Sequence, residues 1–160
     1  MIKYHDPSKA EIFKISRMLT SGLIAGASIF LCSYLALMIG IKFFPWFFVD
    51  YFNPVFLSGG ERDLLFYMHP LVLGMALSVF WQKFRHIFSG HFLAVGVAFG
   101  FIYALIALVP ILWITFSAID VSFAMVFSWL IYGFFQASVG GIAMALADRR
   151  KVDAIAKASS

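Results

Sequence analysis

The sequence predicts an all-α integral membrane protein of four transmembrane helices with both termini in the cytoplasm, and three observations carry that prediction. Composition is the first: 62% of the residues are hydrophobic and 12% are charged, too little polar surface to cover a soluble globule of this size. The second is a set of four apolar stretches, each long enough to cross a hydrocarbon core of ~30 Å. Charge placement is the third. Lys3, Lys9, Lys14 and Arg17 precede the first stretch, Lys83 and Arg85 follow the second, and Arg149, Arg150, Lys151 and Lys157 follow the fourth. The other two connections hold Asp50, Glu61, Asp63 and Asp120 against Lys42 and Arg62. Basic residues favour the cytoplasmic side, so this alternation orients the helices, and the bacterial inner membrane is the expected location.

One membrane domain is expected over residues 1–160. Residues 1–17 form a cytoplasmic amphipathic segment in which Ser8 is the expected N-cap and Glu11 closes a capping box. Ile12, Phe13, Ile15 and Leu19 would lie on the bilayer while Lys9, Lys14 and Arg17 meet phosphates. A plain extension of the first span is the alternative. Span one covers 18–41, longer than the apolar core of a cleavable signal peptide. An outer connection rich in aromatics follows from Phe43, broken at Asn53-Pro54 and released by Ser58-Gly59-Gly60. So many rings in one loop predict an interfacial or re-entrant segment. Span two covers 64–81 and is the shortest. Span three covers 92–114, and span four, 121–147, is long enough to tilt. Residues 148–160 form a basic cytoplasmic tail. Trp46 and Trp113 are placed in an outer aromatic belt and Trp81 in an inner one.

Small residues mark the faces that pack: Gly22 and Gly26 on span one, Gly96 and Gly100 on span three, and Gly133, Ala137 and Gly141 on span four. Spacing leaves open whether these faces close within one chain or between copies. Sliding the second half onto the first brings Gly96 beside Gly26 and Gly141 beside Gly74, the pattern of a parallel rather than an inverted repeat.

Several chemistries are excluded. Cys32 is the single cysteine, so no disulfide and no thiolate cluster forms within one chain. No phosphate loop, nucleophile elbow or zinc-binding helix motif is present. The spans hold no Asp, Glu, Lys or Arg at depth, so the usual relay or counter-ion of an ion-coupled transporter is missing. No catalytic residue, metal ligand set or cofactor is expected. The basic residues sit at helix flanks, which points to lipid rather than nucleic acid. The expected partners are the bilayer and either further copies of the chain or a larger membrane complex.

His69 is the candidate that stands out, about five residues and so ~7 Å below the outer end of span two. Ionisable groups at that depth tend to face a bundle interior or a cavity. Tyr34, Tyr103, Trp129 and Tyr132 fall in the outer half or near the midplane and Gln136 one turn further in, with Arg62, Asp63 and Asp120 at the rim above. Converging with His69, they would line an outer-half pocket for a small amphiphile or lipid. A structural role is the competing reading, with the histidine bonded near the interface and the aromatics packing between helices. His86 and His91 lie at the opposite face, so one chain does not supply a bis-histidine haem site. Three function classes follow: a structural or accessory subunit working through its glycine faces, a binder or transporter of a small amphiphile around His69, and a redox or enzyme subunit completed by a partner.

Overall fold

A computed structural model describes residues 7–52 and 60–158, and among these the chain is helical with no strand. Helix α1 runs Pro7–Phe43 and is followed by a tight 3-10 segment, Pro45–Phe52. Helix α2 runs Glu61–Phe84 and ends in a single 3-10 turn, Arg85–Ile87. The third crossing is composite: α3 is Phe92–Tyr103, a widened π turn covers Ala104–Leu108, and α4 is Val109–Ala118. Helix α5 runs Phe123–Ala158. Four segments within these helices are long and apolar enough to cross a membrane: Lys14–Phe43, Arg62–Ile87, Phe92–Ala118 and Phe123–Arg149. Among the described residues the architecture is therefore an all-helical one with four helices of membrane-spanning length and composition.

Local chemistry sets the breaks. Pro110 has no N–H to donate and its ring crowds the carbonyl one turn back, a conflict that would kink a regular helix. The π turn absorbs it, with the Val109 N–H bonding Ala104 O. The Ser122 hydroxyl accepts from the Met125 N–H at 3.2 Å and caps α5. Between α2 and α3 the chain reverses through Gly90, whose φ of 114° suits glycine alone. Hydroxyls in the apolar spans turn back on their own helix, as Thr20 to Ser16 O and Ser28 to Ile24 O do, both at 2.8 Å. In a bilayer these bonds replace the water that is missing.

Close packing follows the glycines, and it is internal. A Cβ on Gly74 would stand 2.5 Å from Gly26 Cα and 2.8 Å from Gly22 O, so α1 and α2 touch backbone to backbone. On the other side, a Cβ on Gly96 would stand 2.5 Å from Ile142 N, and one on Gly141 would stand 3.1 Å from Gly96 Cα. Gly100 is likewise closed by Ser138, and Gly133 by Leu108 of the π turn. Two antiparallel hairpins result, α1 with α2 and α3 with α5, each with a glycine of one helix against a glycine of the other. The residues matched by sliding the sequence on itself, Gly26 with Gly96 and Gly74 with Gly141, occupy corresponding places in the two hairpins.

The hairpins join along α1 and α5, where Ile29, Leu77 and Ala137 are buried around Gly140. Phe99 and Met144, with Ala25 and Ser78, are also fully enclosed in the core. Trp81 belongs there too: at 3% exposure it is a core residue and not part of an interfacial belt, whereas Trp46 and Trp113 are 67% and 77% exposed. It packs within ~6 Å, centroid to centroid, of Phe88 and Phe99.

Two boundaries differ from the sequence expectation. Helix α1 already includes Ser8 and runs unbroken into the span, so Ser8 is not its N-cap. Helix α5 continues past residue 148 to Ala158, so the basic tail is a prolongation of the last crossing rather than a separate segment. Both follow from unbroken runs of good helix formers with no glycine or proline between span and flank. The expected break at Asn53-Pro54 and the release at Ser58-Gly59 lie outside the described residues. The 3-10 segment before them folds back on α1, where Gly40 makes room for the Phe48 ring.

Candidate functional site

At the end of the bundle where α1 enters, α2 stops and α5 leaves, the polar side chains converge on one carboxylate. Asp148 Oδ2 accepts from Arg85 Nη1 at 2.8 Å and from the Trp81 indole N–H at 3.1 Å. Its Oδ1 accepts from Arg17 Nη2 at 3.2 Å. The three donors come from two different helices and Asp148 from a third, so the carboxylate ties α1, α2 and α5 together. Side-chain exposures of 18% for Asp148, 28% for Arg17 and 35% for Arg85 place the ion pairs between surface and interior. Pairs of this kind are worth more than surface ones, because removing a partner strands a half-desolvated charge. One turn deeper, Gln82 Nε2 reaches Ser21 Oγ at 3.4 Å.

Beside this knot an open cleft of about 570 Å³ lies between the turn that follows α2, the start of α3 and the stretch of α5 around Asp148. Its walls include Trp81, Arg85, Phe88, Phe92, Asp148 and Arg149. Trp81 and Phe88 stack with 13° between their planes. The Arg149 guanidinium lies 5.9 Å from the centre of the Phe92 ring and forms no ion pair with a described residue. Arg17 Nε is buried and finds no acceptor among the described residues.

Toward the opposite end the bundle opens. Every residue from Arg62 to His69 is exposed, with the side chain of Glu61 outside the described set. Eight successive helical residues turn through more than two full revolutions, so the first turns of α2 present all their sides. Helix α4 buries none of its residues either. Polar ties reach α5 here from α1 and from the 3-10 segment: Gln136 donates to Ser33 Oγ at 3.2 Å in the buried interior, and the Tyr51 hydroxyl lies 2.7 Å from Ser128 Oγ.

The residues read from the sequence as pocket walls take different places. Gln136 is buried and spends its amide on Ser33. Tyr103 is half-buried against the core and Trp129 is half-buried on α5. Tyr34 and Tyr132 are exposed, as is His69, which makes no hydrogen bond among the described residues. Of these six, Gln136 is thus turned to the interior while His69, Tyr34 and Tyr132 lie on exposed surface among the described residues. Arg62, Asp63 and Asp120 are exposed at the helix ends. Gly22, Gly26, Gly96, Gly100, Gly133 and Gly141 are all approached closely by neighbours in the same chain, and Ala137 is fully buried in the core.

Asp148 is the residue that sequence reasoning passes over. It heads a basic run and looks like the start of a solvated tail. The available signal was an acid at the end of a span whose flank is otherwise basic. Against family models, curated proteins and solved structures, the chain matches none.

Proposed function

We propose that this chain is an accessory membrane subunit, in the manner of a bacterial inner-membrane protein with cytoplasmic termini, that receives a transmembrane helix of a partner against the first turns of α2. The orientation rests on the basic flanks around Arg17, Arg85 and Arg149. With the glycine faces spent inside the chain, docking falls to the surface that α2 leaves open.

The observation that carries this reading is His69, exposed and unbonded within an apolar crossing. Facing hydrocarbon alone, an imidazole has neither water nor protein to bond. A partner helix carrying a hydroxyl or amide at that depth supplies the missing bond, while Leu65, Phe66 and Val72 offer apolar surface around it. One interhelical hydrogen bond contributes only ~0.6–2 kcal/mol, so packing supplies the rest of the affinity.

Native mass spectrometry of the full chain, extracted gently from its own membrane, tests the proposal. A stoichiometric complex that dissociates about threefold to tenfold more readily in His69→Ala is expected. A chain carrying only lipid or a small amphiphile would overturn it in favour of ligand binding at the same place, and a complex indifferent to His69→Ala and Leu65→Ala would move the interface elsewhere. Orientation is checked separately: a reporter after Ser160 is expected inside and one at Gly59 outside.

A further inference from the structure

We infer that the cleft beside Asp148 binds the phosphate headgroup of an anionic phospholipid. Two guanidiniums, Arg17 and Arg85, pair with Asp148, and a third, Arg149, lines the same cleft, which leaves the described side chains there with surplus positive charge. Arg149 is held over the Phe92 ring by its face and keeps its N–H donors unspent. Arg85 commits Nη1 to Asp148 and lines the cleft, with its other guanidinium N–H donors in no hydrogen bond among the described residues. Planar forks of this kind match phosphate oxygens in pairs.

Position selects a lipid over a dissolved anion. Arg85 and Arg149 fall at the ends of the second and fourth crossings, the depth at which headgroups lie. The floor is the Trp81–Phe88 stack, and the exposed Phe84, Ile87 and Leu93 flank the same turn with surface suited to acyl chains. The volume of about 570 Å³ is in the range of small-ligand sites.

Asp148 also selects against zwitterionic lipid. Both of its oxygens already accept from Arg17, Arg85 and Trp81, so it has little left for the ammonium of such a headgroup. The cleft therefore rewards net negative charge.

The test uses the full chain in detergent micelles, titrated with phosphatidylglycerol and phosphatidylcholine of the same acyl composition and read by native mass spectrometry. Phosphatidylglycerol is expected to bind about fivefold tighter, and Arg149→Gln to remove most of that preference with the near-ultraviolet circular dichroism unchanged. Lys83→Gln, at an exposed position that does not line the cleft, is expected to leave it intact. Arg85→Gln also breaks the bond to Asp148, so Arg149→Gln is the deciding variant. Equal binding of the two lipids, or a preference that survives Arg149→Gln, would overturn the inference. Displacement of the lipid by millimolar inorganic phosphate would assign the cleft to a free anion and overturn the lipid reading as well.

Discussion

Two tryptophans, one toward each end of the bundle, have opposite fates. Trp81 is 3% exposed, stacked on Phe88 and bonded to Asp148. Trp113 is 77% exposed on a helix that buries nothing. Around Trp81 three helices are tied through one carboxylate; around Trp113 the third crossing buries none of its residues beyond the π turn, though it still touches α5. The contrast shows that hydrophobicity alone does not pack helices in a bilayer. Lipid is as apolar as leucine, so a membrane helix stays against its neighbours only where small residues allow close approach or polar side chains bond across. The Asp148 end has both devices, and the first turns of α2 have neither.

Trp81→Ala is the strongest way to break this contrast. It removes the stack and one of the three donors to Asp148, and a loss of ~3–5 kcal/mol is expected in denaturant titration of the micelle-bound chain. The same change at Trp113 should stay within ~0.5 kcal/mol. An equal loss at both positions would mean that α4 packs more tightly than its exposure indicates.

Asp148→Ala comes next. It leaves Arg17 and Arg85 without their partner, and a loss of about 2 kcal/mol is expected, less than for a fully buried pair because all three side chains keep some exposure. Asp148→Asn keeps an acceptor for Trp81 and Arg85 and should recover part of that loss. If Asn is no better than Ala, charge rather than hydrogen bonding holds the knot.

Smaller effects sharpen the picture at the open end. Tyr51→Phe removes the bond to Ser128 and should cost about 1 kcal/mol, read in the same titration. His69→Ala is expected to leave the stability of the isolated chain within ~0.5 kcal/mol, since the side chain is exposed and unbonded. Its effect should appear only in association. A large loss of monomer stability in His69→Ala would show that the histidine has a partner within the chain.

The glycine positions were legible in the sequence because a four-residue spacing puts them on one helix face whatever the helix meets. Their partners were not. Only the fold shows Gly74 against Gly26 and Gly141 against Gly96, and with them that these faces close inside the chain. The candidate pocket fared differently from its individual residues. Counting turns places His69, Tyr34 and Tyr132 in depth along their helices, but depth carries no information about azimuth toward a neighbour, and all three turn outward.

Four apolar helices were determined by the sequence alone, because transfer of a segment into hydrocarbon is a sum over its own residues. The role of Asp148, the burial of Trp81 and the exposure of His69 were decided only by the tertiary structure. Arg17 and Asp148 stand 131 positions apart and meet at 3.2 Å. Such a contact depends on the register and rotation of whole helices against one another, which no local property of either segment contains.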